Sequence, residues 1–364
     1  MISRAFELLV RRIDGPLMAA LALTVALGLT VVYSAGGASV DRVSGQARNL
    51  AVAIIALWVF AHIPPQTLMR LALPTYLMGL ALLVGVALFG DVRNGARRWL
   101  SLGFTTIQPS EVMKIGVPLV LAWYFHRHQE GLRVRDFVIA AILLAIPVGL
   151  IVRQPDLGTA LLIFASGFFV IFLAGLSWKV LISLIVAGGA SLPFLWSVLH
   201  DYQRRRILTL LDPMEDPLGA GYHIIQATIA IGSGGILGKG WLNGTQAQLD
   251  FVPERSTDFI LAVFGEEFGL AGNVVLVVLY LLIIGRGLMI AANASTVFAR
   301  LAAGAITLTF FTYAFVNMGM VSGILPVVGV PLPMVSYGGT ALLSMLAGFG
   351  ILMSISTHKQ LVSS

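Results

Sequence analysis

The chain has 364 residues, of which 58% are hydrophobic and only 11% charged, against about a quarter charged in a soluble domain; with a mean hydropathy of +0.92, a water-soluble fold is excluded. Cysteine is absent, which removes disulfide frameworks, iron–sulfur clusters, thiol nucleophiles and Cys-type zinc sites. The net charge of +6 reads as the orientation signal of a membrane protein rather than a nucleic-acid footprint, so no nucleic-acid partner is expected.

A bilayer core of ~30 Å takes about 20 apolar helical residues per crossing. Ten candidate spans follow in chain order, at roughly 16–34, 49–63, 71–89, 110–126, 137–152, 158–175, 178–199, 259–285, 299–322 and 337–357. The first apolar run is long, lacks an Ala-x-Ala-type site and is followed at once by others, so it reads as a span and not as a secretory signal. The expected fold is therefore all-α: one polytopic membrane domain over residues 1–364, with a single long loop at about 200–256 between spans seven and eight. Ten spans put both termini on one side. Setting aside Arg204, Arg205, Arg206, Lys239 and Arg255 of the long loop, Lys and Arg are moderately biased toward the side of the termini. The positive-inside rule then makes both termini cytoplasmic and the long loop extracytoplasmic.

The candidate chemistry lies on that outer side. Gly95-Ala96-Arg97-Arg98-Trp99 precedes span four, and an Arg pair beside Trp suits either an interfacial anchor or a contact to an anionic headgroup. In Gln108-Pro109-Ser110-Glu111-Val112-Met113-Lys114, Pro109 fits the first turn of a helix. Glu111 and Lys114 share one face of it. They form either a plain ion pair or, because they enter an apolar span, part of a polar cavity. Arg153-Gln154-Pro155-Asp156-Leu157-Gly158-Thr159 is a tight turn in which Asp156 serves as a helix cap or as a cavity residue.

In the long loop, His200-Asp201-Tyr202-Gln203-Arg204-Arg205-Arg206 sets three arginines on the disfavoured face. Arg binds phosphate through a bidentate fork, and at most two consecutive helical positions could serve one site; outer-leaflet headgroup binding is the alternative. Gly232-Ser233-Gly234-Gly235-Ile236-Leu237-Gly238-Lys239-Gly240 superficially resembles a phosphate loop, but Ser233 and Gly240 occupy the wrong positions. It reads as a hinge or close-packed turn. Phe251-Val252-Pro253-Glu254-Arg255-Ser256-Thr257-Asp258-Phe259 leads into span eight, with Glu266 and Glu267 beyond. From Asp258 to Arg286 a straight helix would run ~42 Å, longer than the hydrocarbon. Its outer end then protrudes, or Gly265, Gly269 and Gly272 bend it. Asp258 opens toward the outer surface in either case, as an N-cap or as a reactive carboxylate. The uncharged stretch from Gly323 to Gly339 is too apolar for a solvent loop and too rich in Pro and Gly for a helix; a partly re-entrant segment lining a cavity fits. The histidines form no ligand spacing, so no metal motif is present, and a weak Mg or Mn site among the outer carboxylates stays open.

Together these segments resemble the SEDS family (shape, elongation, division, sporulation) from about Ile13 to Lys359. The carrying pieces are Gln108 to Lys114, Pro253 to Phe259 with Glu266 and Glu267, Leu325 to Thr340, Ala347-Gly348-Phe349-Gly350, and Ser356 to Lys359. Gly329-Val330-Pro331-Leu332-Pro333 and the short tails favour the elongation member, while Ser256 stands where His is frequent in relatives. The resemblance implies a peptidoglycan glycosyltransferase of the bacterial cytoplasmic (inner) membrane that polymerises lipid II, a disaccharide-pentapeptide on undecaprenyl pyrophosphate. It implies a class B penicillin-binding protein as transpeptidase partner, and elongation-complex proteins such as MreC and MreD. By the same resemblance Asp258 is the essential catalytic carboxylate, and Trp99, Glu111 and Lys114 line or support the cavity. With the outer charges and the polar loop residue, the expected substrate-binding set is Trp99, Glu111, Lys114, Asp156, Arg204, Arg205, Arg206, Glu254, Arg255, Glu266, Glu267 and Ser336. A lipid II flippase and a non-catalytic membrane scaffold are the competing readings. Against the first stand the charges clustered at one membrane boundary and the lack of visible repeat symmetry.

Overall fold

The computed structural model describes residues 12–93, 96–101, 106–198, 201–215, 217 and 221–358. Gly95, His200 and Lys359 fall outside them, as do the side chains of Asp201, Tyr202, Gln203 and Arg206. Ten long helices occupy the positions of the apolar runs: α1 (Gly15–Ala35), α2 (Val40–His62), α3 (Pro65–Phe89), α4 (Pro109–Arg127), α5 (Val134–Val152), α6 (Leu157–Leu173), α7 (Trp178–Val198), α11 (Ile260–Ala292), α12 (Val297–Val321) and α13 (Thr340–Thr357). Seven of these are both long and apolar enough to cross a bilayer, and the chain is a multi-pass membrane protein. Helix starts follow local chemistry. Asp14, Ser39, Asp156 and Thr296 accept from backbone N–H groups of α1, α2, α6 and α12, while α3 and α4 begin at Pro65 and Pro109, where the missing N–H costs nothing. The second span begins well before its apolar core, because the polar turns carrying Asp41, Arg42, Gln46 and Arg48 are helical too.

The helices pack with α4 and α12 near the centre. The pairs α2 with α13, α3 with α4, and α11 with both α12 and α1 make the main seams. In contrast, α7 exposes apolar side chains all round, including Ile182, Ile185, Leu192 and Phe194, as a lipid-bathed helix does.

Three features differ from a plain helix bundle. The segment before α4 forms a small antiparallel sheet, β1 (Asp91–Arg93), β2 (Ala96–Ser101) and β3 (Thr106–Ile107), in that order. The long loop holds three helices, α8 (Asp201–Leu211), α9 (Tyr222–Gly234) and the short α10 (Thr245–Gln248). Finally, α11 is broken at Gly269, whose φ of 63° and ψ of −162° suit only a residue without Cβ. The break strands backbone groups at membrane depth, where each must find a partner. The turn after α9 supplies them. Lys239 and Gly240 donate to the carbonyls of Glu266 and Glu267 at 3.0 Å each, and Leu270 and Ala271 donate to Gly235 and Ile236, also at 3.0 Å. The glycine run of 232–240 is thus the close-packed turn, seated against the broken helix.

Candidate active site

One end of the bundle gathers the ends of α1, α4, α6, α11, α12 and α13 with the sheet. There the turn before α11 presents Asp258. The N-cap position of α11 is Phe259, and no side chain caps it, so Asp258 is not the helix cap that its sequence position allows. Its backbone is instead held on several sides. Asn317 of α12 donates from Nδ2 to the carbonyls of both Asp258 (2.8 Å) and Val330 (2.7 Å). Ser336 donates to the Thr257 carbonyl at 2.6 Å and accepts from Leu332 N–H at 2.8 Å. Tyr337 N–H donates to the Ser256 carbonyl at 2.8 Å, and Arg42 of α2 donates to Ser256 Oγ at 2.5 Å.

The 323–339 segment therefore packs as non-helical backbone over Asp258. Gly329 has φ of 72°, and a Cβ there would lie 3.4 Å from Asp258 Oδ2. Among the described residues no donor pairs with the carboxylate of Asp258. Burial pushes its pKa up to about 6, with the Glu254 charge adding to the shift. No cap interaction or cation offsets these: the carboxylate does not cap the helix, and Arg255 is engaged elsewhere. Arg255 pairs with Asp250 at 2.6 Å and donates to the Ala247 carbonyl.

A second polar group lies at the start of α4. Lys114 Nζ donates to Glu111 Oε1 at 2.7 Å, and the two side chains are only 8% and 13% exposed. Ser344 of α13 donates to Glu111 Oε2 at 2.6 Å, and the ammonium lies 5.3 Å over the Tyr313 ring of α12. The pair thus joins three helices rather than decorating one. Asp156 is the helix cap of α6, accepting from Thr159 N–H at 3.2 Å, and its carboxylate also lies 3.5 Å from Arg98. Arg98 also donates to the Pro155 carbonyl at 2.8 Å, pinning β2, and hence Trp99, to the start of α6.

The remaining expected residues divide by accessibility. Glu254 is exposed and accepts from Thr257 Oγ1 at 2.8 Å; Arg205 is exposed on α8. Arg204 is turned back to the end of α7, donating to the carbonyls of Trp196 (3.0 Å) and Ser197 (2.8 Å). Glu266 is fully buried, and its oxygens are filled by Lys239 (2.7 Å), Thr245 (3.1 Å) and the N–H groups of Gln246 (3.0 Å) and Ala247 (3.2 Å). Glu267 is buried and accepts from Ser34 of α1. Glu266 and Ser336 thus fasten the loops that frame Asp258, with no oxygen open to a ligand on Glu266. Sequence reasoning passed over Asn317 and Arg42. The signal for Asn317 was available: a lone amide inside an apolar span is costly and marks a site. Among the described residues no group of three or more His, Asp or Glu side chains is placed to hold a metal ion, so no chemical step is assigned to one.

A family model described as "Cell cycle protein", covering FtsW, RodA and SpoVE, matches residues 16–361. The peptidoglycan glycosyltransferase MrdB of Escherichia coli K12 is 51% identical over 348 residues, 95% of this chain and 94% of the relative. MrdB of Helicobacter pylori J99 is 36% identical over 85% of this chain and 81% of its own. A solved chain from a peptidoglycan synthase complex, described as coordinating polymerization and crosslinking, superposes with a TM-score of 0.81 at 36% identity, covering 94% of this chain and 97% of that one. The rod shape determining protein RodA of Thermus thermophilus superposes with a TM-score of 0.72 at 30% identity, covering 94% and 96%. The chain belongs to the FtsW, RodA and SpoVE family of cell cycle proteins.

Proposed function

We propose that this protein is a peptidoglycan glycosyltransferase that polymerises lipid II into β-1,4-linked glycan strands during cell elongation, with Asp258 as the general base. The observation that carries the reading is a half-buried carboxylate with no donor among the described residues, on backbone fixed by Asn317, Ser336 and Tyr337. Fixed backbone with a free functional group is the preorganisation that catalysis uses. The donor sugar of lipid II is α-linked to pyrophosphate and the product is β-linked, so one in-line displacement with inversion suffices. Asp258 takes the proton from the acceptor 4-hydroxyl as that oxygen attacks the anomeric carbon, and the lipid pyrophosphate leaves. Pyrophosphate departs readily once its charge is stabilised, so one carboxylate is enough. Exposed arginines such as Arg205 are the candidates for that stabilisation, since Arg204 is committed to the end of α7.

With its pKa raised to about 6 by burial and the Glu254 charge, Asp258 lies in the range useful to a base at neutral pH. Both substrates are lipid-linked, which suits a site at a membrane boundary. The site end is assigned to the extracytoplasmic side and both termini to the cytoplasm, from the distribution of Lys and Arg. A class B penicillin-binding protein is the proposed transpeptidase partner, in line with the related synthase complex, and MreC and MreD are proposed companions.

The test is polymerisation of lipid II by the pure protein in detergent micelles, with and without EDTA, across pH 5 to 8. Glycan product, with a rate falling as pH drops through about 6, is the expected result. No product in micelles, where flipping has no meaning, would favour a flippase or scaffold. Loss of product with EDTA would bring in the divalent cation.

A further inference from the structure

At the opposite end of the bundle from Asp258, the start of α3 and the end of α4 form an open groove of about 280 Å³ lined by Met69, Arg70, Trp123, His126 and Arg127. Its polar groups are cationic or neutral donors. Arg127 stacks 5.3 Å over the Trp123 ring, and His126 Nδ1 is buried without a partner. Among the described residues no carboxylate is ion-paired to Arg70 or Arg127. Cations concentrated around a hollow, with no carboxylate paired to them among the described residues, call for an anion.

The setting decides which anion. Arg70 lies five residues into α3 and Arg127 ends α4, so both sit within about a turn and a half of a helix end, the depth of headgroups. Trp123 is half-buried at that level. From Arg70, Leu73 and Leu77 continue along the same face of α3 at the i+3 and i+7 positions and are 37% and 54% exposed, an apolar track suited to an acyl chain. Basic pockets between membrane helices bind anionic headgroups in this way.

We propose that this groove binds one anionic glycerophospholipid, with Arg70 and Arg127 holding its phosphate, Trp123 fixing the Arg127 fork, and Leu73 and Leu77 carrying an acyl chain. A basic side chain near a membrane surface favours an anionic lipid by about fivefold, and two acting on one phosphate should exceed tenfold.

The experiment is native mass spectrometry of the full-length protein in detergent, titrated with phosphatidylglycerol or with phosphatidylcholine of the same acyl chains, and in a separate arm with inorganic phosphate. The wild type should retain one phosphatidylglycerol at least about tenfold in preference to phosphatidylcholine. Arg70→Gln and Arg127→Gln should each lower that preference about fivefold, and the double change should abolish it. An Arg70→Lys/Arg127→Lys protein keeps the charge and should retain most of the preference, which separates loss of the site from damage to the fold. An unchanged preference in the double Gln protein overturns the proposal. So does a Lys pair as impaired as the Gln pair, or displacement of the lipid by millimolar inorganic phosphate, which would make this a site for a soluble anion.

Discussion

Lys114 and Glu111 show how a charge can be kept at membrane depth. Each has a partner on its own helix, and Ser344 and Tyr313 close the group from α13 and α12. Taking both charges out of water is expensive, and their attraction repays it only while both are present. Lys114→Ala leaves Glu111 buried with a single hydroxyl donor, and should cost roughly 3–5 kcal/mol. The paired change Glu111→Leu with Lys114→Met removes both charges at similar volume and should cost far less. Thermal unfolding of the detergent-solubilised variants reads this directly. A single Ala variant as stable as the wild type would mean the pair is solvated and idle.

The broken helix α11 is the element that shapes the site. Its N-terminal segment brings Glu266 and Glu267 against the turn after α9, so the loop from Gly235 to Gln248 is tied to the helix that follows Asp258. Gly269→Ala sets a Cβ 2.3 Å from Gly238 N at a φ of 63°. The strain alone is of order 1–3 kcal/mol, and the contact adds to it. The variant should lose that stability and show faster amide exchange at Leu270 and Ala271, which donate across the break. Normal stability and exchange would show that the break is not held by this turn. All ten long helices were legible as apolar runs, because run length against bilayer thickness is a strong local signal. The kink was legible only as three candidate glycines, since the choice among them depends on the close approach of Gly238 from another element. The 91–107 sheet was not legible: its strands are short and charged, and Arg98 holds it through Asp156, a residue far along the chain. At the site, the i,i+3 pair and the importance of the 323–339 segment could be read from sequence. The confinement of Glu266 could not, because its donors at 239 and 245–247 lie about 20 residues or more away with no periodicity to announce them.

At the scale of the whole molecule, separate polar clusters fasten the two ends of the bundle. Away from the site, Arg286 at the far end of α11 makes a two-pronged contact to Asp14, at 3.0 and 2.7 Å, and Ser356 of α13 donates to the same carboxylate at 2.8 Å. Burial alone would raise the Asp14 pKa, but Arg286, Ser356 and the Leu17 N–H outweigh it and hold it below 3.8. A depressed carboxylate contributes stability above its unfolded pKa and loses it as pH falls through the folded value. Asp14→Asn keeps the helix cap but not the charge. It should destabilise the protein by roughly 1–3 kcal/mol at pH 7, the buried-pair cost reduced by the one third of Arg286 open to solvent, and the difference from wild type should shrink below pH 4. A pH-independent difference would assign the loss to something other than the ion pair. At the site end, by contrast, the Asp258 carboxylate has no donor among the described residues, while its backbone is held by Asn317. The most direct measurement is lipid II polymerisation by purified Asp258→Asn against wild type at equal concentration. Asn keeps the shape but accepts no proton at neutral pH, so the rate should fall by ~10²–10⁴-fold, with the thermal midpoint unchanged. A rate near that of the wild type would contradict the assignment of Asp258 as the base.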